Sequence, residues 1–169
     1  MNEKIHQLLN QQINKEFYSA YLYLAMANYY DELDLDGFAN YYTVQAQEER
    51  DHALLFLQYM QINGLKVTLE AIEKPEIAFD SPLDPLVEAA KHERYVTALI
   101  NAIYHECHEG KDYRTMKFLD WFVDEQMEEE KNADSMVNRF KLFGSDAKGL
   151  YSLDQEFAGR VYTAPSLVL

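Results

Sequence analysis

The chain has 169 residues, and its 29 acidic side chains outnumber 15 basic ones, giving a formal net charge of −14. This balance argues against nucleic acid or an anionic membrane as the main partner, because both attract clustered positive charge. The single cysteine, Cys107, excludes an internal disulfide and a cysteine-based zinc site. No apolar run approaches the roughly 18 residues needed to span a bilayer. The first residues lack the pattern of a signal peptide, so we expect a cytoplasmic protein.

The sequence predicts four long helices followed by a short one. Three of the four prolines lie between Pro75 and Pro85 and separate two blocks rich in helix-forming residues. The turn-like stretches "DELDLDG" and "ECHEGKD" divide each block into two antiparallel helices. An amphipathic stretch after "FGSDAKG" predicts the short fifth helix. We expect one domain over residues 1–169, with helices at 3–32, 37–64, 83–109, 113–143 and 152–163.

The connection between the second and third helices is too long for a tight turn. A connector of about 18 residues can run the length of a bundle, so the second helix pair begins beside the turn of the first pair. The expected fold is therefore all-α. It is a four-helix bundle with a long crossover between its second and third helices and a short fifth helix.

Each long helix carries an apolar stripe at heptad spacing, and polar residues interrupt all four stripes near the middle. The interrupting residues are Glu16, Glu49, His52, Glu93, Gln126 and Glu129. Counted from the two turns at about 1.5 Å per residue, they fall within roughly two helical turns of one cross-section. So many buried carboxylates would be prohibitive without a counter-charge, and bound cations are the simplest explanation.

The residue types indicate which metal this site would bind. Carboxylates with one imidazole and no thiolate suit iron(II), manganese or adventitious zinc, and disfavour copper(I). Glu49 and His52 are three residues apart, which places both on one face of a helix. Di-iron carboxylate bundles combine single glutamates from two helices with Glu-x-x-His from each of the other two. Here Gln126-x-x-Glu129 replaces the second Glu-x-x-His, so the predicted site is asymmetric.

These motifs together resemble the bacterial non-haem ferritins over essentially the whole chain. The matching pieces are "INKEFYSAYLYLAMA", "QAQEERDHALLF", "AAKHERYVT", "FLDWFVDEQMEEE" and "GLYSLDQEFAGR". The resemblance implies a ferritin-like bundle with a ferroxidase centre that oxidises iron(II) with O2 or peroxide. It also implies that the chains assemble into a homo-24-mer cage, in which ferric oxyhydroxide is stored.

The resemblance further implies the residues that hold iron, with Glu49 as a bridge between two ions. One ion would be held by Glu16, Glu49 and His52, and the other by Glu49, Glu93 and Glu129, with Gln126 close by. Tyr23 matches a tyrosine beside the centre, placed for a hydrogen bond or one-electron donation. A third iron site is implied at Glu48, Glu125 and Glu128, with Glu129 as the link. Solvated surface charge remains an open local interpretation of Glu48 and Glu125.

Other conspicuous residues have simpler explanations. Haem-binding relatives carry a methionine just after the glutamate of the second helix, and here that position is Arg50, so no haem is expected. His92, His105 and His108 are expected near the surface of the third helix. Trp121 is expected to pack in the protein rather than to react.

Two other classes of function stay open. A shell that only sequesters iron would lack a ligand of the centre, and none is missing here. Another di-iron oxidase would need room for an organic substrate, and 169 residues leave little beside the bundle. A rubrerythrin-like peroxidase needs paired cysteines that this chain does not have.

Overall fold

A computed structural model describes residues 2–169 as five α-helices and the segments that join them. The helices are α1 (Glu3–Asp31), α2 (Asp36–Ile62), α3 (Asp84–Glu109), α4 (Tyr113–Phe143) and α5 (Ala147–Phe157). No strand occurs among these residues. The predicted all-α architecture, with four long helices and a short fifth one, is confirmed. Within residues 2–169, no helix is both long enough and apolar enough to cross a membrane.

The fifth helix differs from its prediction, which placed it at 152–163. Helix α5 instead begins at Ala147, because the Asp146 side chain accepts hydrogen bonds from the backbone N–H groups of Lys148 and Gly149 at 3.0 and 2.9 Å. Aspartate is a favourable N-cap residue, so the helix starts inside the stretch that the sequence analysis assigned to a loop. It ends at Phe157, and the residues that follow form an irregular segment.

The helices pack as two antiparallel pairs, α1 with α2 and α3 with α4, and α5 contacts α2 and α4. The crossover runs along α1, whose side chains bind its backbone carbonyls. Asn10 donates to the carbonyl of Thr68, and Asn14 donates to that of Ala71, both at 3.0 Å. The long crossover that the sequence predicts is thus held in place along the first helix.

Two apolar clusters fill opposite ends of the bundle. One is rich in tyrosine and includes Tyr23, Tyr30 and Tyr42. The other is formed by residues such as Leu9, Phe56 and Ile100. Between them lies a layer of buried polar side chains, which comprises Gln12, Glu16, Gln45, Glu49, His52, Glu93, Gln126 and Glu129. The polar interruptions of the four stripes therefore meet in the middle of the core.

Helix α5 is attached to the start of α2 by a buried carboxylate. Leu35, at the N-cap position of α2, provides no side-chain cap. Asp154 supplies one from α5, since its Oδ1 accepts from the N–H groups of Gly37 and Phe38 at 2.8 and 3.1 Å. A Cβ atom at Gly37 would lie 1.6 Å from the Asp154 carbonyl oxygen, so only glycine allows this approach. The contact also fixes where the segment after α5 begins.

Candidate metal centre

Two groups of buried side chains meet at mid-bundle and share one carboxylate, that of Glu49. Glu16, Glu49 and His52 each offer a ligand atom, and these atoms lie within 4.8 Å of one another. Glu49, Glu93 and Glu129 form the second group by the same measure. The five side chains come from all four long helices and are buried. The structure thus brings together the five residues that the sequence analysis assigned to two metal positions.

Glutamine side chains orient three of these carboxylates. Gln12 Nε2 donates to Glu16 Oε1 at 2.7 Å. Gln45 Nε2 donates to Glu49 Oε1 at 2.9 Å and to Glu129 Oε2 at 3.0 Å. The sequence analysis assigned no role to Gln12 or Gln45. The available signal was their spacing, since each lies on a helix four residues before a candidate ligand.

Tyr23 and Gln126 both contact Glu93. The Tyr23 hydroxyl donates to Glu93 Oε1, and Gln126 Nε2 donates to Glu93 Oε2 at 3.1 Å. The Gln126 amide also lies 3.2 Å from the Glu93 carbonyl oxygen and 3.3 Å from Thr97 Oγ1. The two residues therefore lie beside the second group, where the sequence analysis expected them.

Burial makes most of these carboxyl groups retain protons. Burial and the charge of Glu49 raise the pKa of Glu16 to about 8 and that of Glu129 to about 7. Burial, with the charges of Glu49 and Glu129, raises the pKa of Glu93 well above its usual value. Each shift has the same physical origin, because an ionised carboxylate loses its hydration when it is buried and is repelled by its neighbours.

Glu49 and His52 behave differently because they form an ion pair. Burial alone would lower the pKa of His52, but the charge of Glu49, with those of Glu16 and Glu129, raises it to about 10. Burial likewise opposes ionisation of Glu49, and the imidazolium beside it outweighs that effect and lowers the pKa of Glu49. The His52 Nδ1 atom lies 3.5 Å from Glu49 Oε2. One protonated imidazole is thus the positive charge within the two groups.

One oxygen of the centre has no hydrogen-bond partner. Glu16 Oε2 is buried and is unpaired among the described residues 2–169. Leaving a buried acceptor unpaired costs about 1–3 kcal/mol. A cation bound between Glu16 and Glu49 would give this atom a partner and would replace the protons that the buried carboxyl groups retain. Carboxylate oxygens with one imidazole nitrogen form a donor set that suits iron(II).

Three further predicted ligands surround a separate cavity. We name it the acidic cavity and define it by Glu48, His52, Glu125, Glu128 and Glu129, which line its volume of about 320 Å³. His52 and Glu129 belong to the buried centre, so the cavity adjoins it. Glu48 is paired with Arg160 at 2.5 Å. Within residues 2–169, Glu48, Glu125 and Glu128 are not gathered as tightly as the two central groups.

The expectations for the three histidines of α3 and for Trp121 can be compared with the structure. The surface assignment of His92 is wrong, since the residue is 7% exposed and its Nε2 lies 2.7 Å from the hydroxyl of Ser19. The adjacent Glu93 faces the centre, and this part of α3 is buried against α1. His105 and His108 are exposed as expected. Trp121 packs on the rings of His52 and Phe122, at 5.5 and 4.9 Å between ring centroids.

Comparisons with known proteins identify relatives of this chain among the ferritins. The family model for a ferritin-like domain matches residues 6–143. A bacterial non-heme ferritin of Campylobacter jejuni is 39% identical over 155 residues, which cover 92% of this chain and 93% of that protein. One from Staphylococcus epidermidis is 35% identical over 162 residues, covering 96% and 98%.

Solved ferritin structures superpose closely on this chain. An open-pore ferritin from the archaeon Archaeoglobus fulgidus superposes with a TM-score of 0.93 at 42% identity, covering 95% of this chain and 98% of that one. An engineered closed form of the Archaeoglobus fulgidus ferritin gives 0.94 at 42% identity, covering 96% and 99%. With this fold and this cluster of carboxylates, the chain belongs to the ferritin family and is similar over nearly its whole length to bacterial non-haem ferritins.

Proposed function

We propose that this protein stores and detoxifies iron by oxidising iron(II) at the buried centre and holding the ferric product inside a homo-24-mer shell. The observation that carries the proposal is the pair of buried groups that share Glu49, together with the unpaired Glu16 Oε2. Within the described chain, only the His52 imidazolium and the protons kept by the buried carboxyl groups balance this layer, and two divalent ions would displace those protons. The similarity to bacterial non-haem ferritins supports iron as the metal.

The proposed chemistry requires two iron(II) ions close together. Glu49 belongs to both groups, so it is placed to bridge them, with Glu16 and His52 on one side and Glu93 and Glu129 on the other. Each iron(II) gives up one electron, and one O2 accepts both. Hard carboxylate ligands suit the more highly charged ferric product, so this ligand set favours the oxidation. Gln12 and Gln45 keep the carboxylates oriented before iron arrives.

Proton movement accompanies the proposed cycle. Burial and the neighbouring carboxylate raise the pKa of Glu16 to about 8, so this group keeps a proton near neutral pH. Iron(II) would displace that proton and the one on the His52 imidazole, because metal ligands bind in their deprotonated forms. The Tyr23 hydroxyl donates a hydrogen bond to Glu93 and so stays beside the second metal position. The released protons are available at the place where O2 is reduced.

Shell formation is proposed from the ferritin neighbours and from charge. The structural relatives include open-pore and closed ferritins, and the match covers nearly the full length of each chain. A net charge of −14 per subunit would attract cations to a shell built from such chains. The third iron position at Glu48, Glu125 and Glu128 is part of the proposal, since these residues line a cavity that adjoins the centre.

The proposal can be tested by adding iron(II) without oxygen and then mixing with O2 while ultraviolet and visible absorbance are followed. Wild-type protein should show a rapid transient and then the broad absorbance of ferric oxide. Glu49→Gln should lose the rapid phase. The control Asp124→Asn makes the same carboxylate-to-amide change at an exposed position on α4 and should keep it. Slow oxidation that is unaffected by Glu49→Gln would reduce the chain to a passive iron-holding bundle.

A further inference from the structure

The segment that follows α5 forms one wall of the acidic cavity. We call residues 158–169 the C-terminal segment. Arg160 and residues 163–166 of this segment line the cavity together with its carboxylates. The cavity reaches His52 and Glu129, so it is the space from which a cation can approach these two side chains. The C-terminal segment forms part of the wall of that space.

Arg160 supplies a positive charge to the cavity, in addition to the His52 imidazolium at its inner side. Its Nη2 donates to Glu48 Oε2 at 2.5 Å, and its Nη1 donates to the Tyr41 carbonyl oxygen at 3.3 Å. The guanidinium carbon also lies 4.1 Å from the centroid of the Tyr41 ring. Glu48, Glu125, Glu128 and Glu129 all line the cavity, and its lining includes no other lysine or arginine. Arg160 therefore occupies the place at Glu48 that a metal cation would take.

The contacts of the C-terminal segment weaken along the chain. Near Arg160 it is held by Asn40, whose Nδ2 donates to the carbonyls of Ala158 and Arg160 at 3.3 and 3.0 Å. Farther on, single side-chain hydrogen bonds hold it, from Tyr162 to Asp51 on α2 and from Trp121 on α4 to Ser166 Oγ at 2.9 Å. Leu167, beyond these bonds, is partly buried against the apolar cluster of Leu9 and Phe56.

These outer contacts can open without unfolding the bundle. The segment has no regular secondary structure, and Thr163, Ala164 and Ser166 are exposed. Few buried contacts and isolated hydrogen bonds mark the parts of a protein that open at low free-energy cost. The outer half of the segment can therefore lift while α5 stays in place through Asp154.

We propose that Arg160 is a displaceable counter-ion at an entrance to the centre. A divalent cation takes its place at Glu48, the C-terminal segment moves aside, and the cation then reaches the His52 and Glu129 side of the centre. Arg160 is thus a positioning residue, which holds Glu48 in place and sets how readily cations enter. The inference rests on the proposed function in one respect, since iron(II) is the cation that the centre would use.

Terbium(III) is a suitable probe because it binds carboxylates and is not oxidised by O2. Trp121 lines the acidic cavity and is the only tryptophan of the chain, so its excitation should sensitise terbium bound there. Arg160→Gln should tighten terbium binding by roughly two- to fivefold, the range expected when a partly exposed ion pair no longer competes. Arg160→Lys keeps the charge and should restore most of the wild-type affinity.

The matched control is Arg139→Gln. Arg139 also pairs with a carboxylate, that of Glu156 on α5, but it does not line the acidic cavity. Its substitution removes the same formal charge and should change terbium affinity much less than Arg160→Gln does. Glu48→Gln should weaken the sensitised terbium signal both in the wild-type protein and in the Arg160→Gln variant. An Arg160→Gln variant that binds terbium no more tightly than wild type, or no more tightly than Arg139→Gln, would overturn the proposal.

A second measurement uses only the wild-type protein. If terbium displaces Arg160, amide hydrogen exchange in residues 160–167 should become faster when terbium binds, while exchange in α2 should not. Unchanged or slower exchange in this stretch would also overturn the proposal. Because terbium is redox-inert, these results are independent of iron oxidation. A failed terbium test would leave the ferroxidase proposal intact. If iron oxidation failed while terbium gave the expected response, only the ferroxidase proposal would be overturned.

Discussion

The buried centre and the acidic cavity lie side by side, yet their negative charge is balanced in different ways. In the centre, Glu16 and Glu93 are buried and keep their protons, and Glu16 Oε2 has no partner among the described residues. In the cavity, Glu48 is partly exposed and pairs with an arginine of the same chain. The charge of the centre is thus balanced by protons, including that of the His52 imidazole, which a metal ion can displace, whereas Glu48 in the cavity is paired with Arg160. Burial accounts for the difference, because an exposed carboxylate is stabilised by water and a buried one is not.

The largest expected effect is on iron oxidation, when Glu49 of the centre and Glu48 of the acidic cavity are each changed to glutamine. Glu49→Gln removes the carboxylate shared by both central groups, and the rapid phase of iron oxidation should fall by roughly 100-fold or more. Glu48→Gln makes the same change one residue earlier, outside those groups. It should slow oxidation by only roughly tenfold, the lower end of the range for residues that surround a metal site without belonging to its ligands. Stopped-flow absorbance measures both, and equal losses would contradict the distinction between the regions.

The next effect is a dependence of metal affinity on pH. Burial and Glu49 raise the pKa of Glu16 to about 8 and that of Glu129 to about 7, and neighbouring carboxylates raise the pKa of His52 to about 10. A metal must displace these protons, so affinity should rise as the pH increases from about 6 to 8. Calorimetric titration with cobalt(II) in buffers of different ionisation enthalpy should show protons released on binding. Binding without proton release would mean that the carboxylates are already ionised.

A stability effect should follow from the unpaired oxygen of Glu16. Its folded-state pKa of about 8 lies above the usual 4.5, so the folded state binds this proton more tightly than the unfolded chain does. The contribution of Glu16 to stability therefore falls as the pH rises from about 4.5 to 8. Glu16→Gln cannot ionise, and it should stabilise the metal-free protein at pH 8 by about 1–2 kcal/mol.

Thermal unfolding with chelator at pH 5 and pH 8 measures this effect. The variant should gain more stability at the higher pH and should also oxidise iron(II) more slowly. A Glu16→Gln variant that is less stable than wild type at pH 8 would show that another group already compensates the charge of Glu16.

The smallest effect concerns the wall that the C-terminal segment forms at the acidic cavity. Ser166→Ala removes the acceptor for Trp121 Nε1, a hydrogen bond worth about 1 kcal/mol at most in this exposed setting. The midpoint of thermal unfolding should hardly change, while acrylamide should quench Trp121 fluorescence more efficiently. Thr163→Ala is the control, because Thr163 also lines the cavity and has no hydrogen bond to Trp121. Equal quenching in both variants would mean that the bond does not hold the segment down.

The heptad stripes already placed the side chains of the buried centre on inward faces and at a common level. Glu16, Glu49, His52, Glu93 and Glu129 could be predicted because helical periodicity is local and survives in any bundle of straight helices. Gln12 and Gln45 lie on the same stripes, four residues before Glu16 and Glu49, but nothing in the pattern indicated that Gln45 would also bind Glu129 of α4. Side-chain hydrogen bonds between helices depend on rotation and separation, which periodicity leaves open.

Contacts over long sequence distances were decided by the tertiary structure alone. The cap that Asp154 gives to α2 and the pair between Arg160 and Glu48 join residues more than a hundred positions apart. His92 became buried because α1 packs over it, and α5 began early because Asp146 caps it. The residue sequence by itself determined the helices, their inward faces and the metal-binding character of the core, all of which follow from short-range spacing. Only the tertiary structure, by docking α5 and the segment after it, brings Arg160 to Glu48 and leaves the carboxyl groups of the buried centre without an arginine.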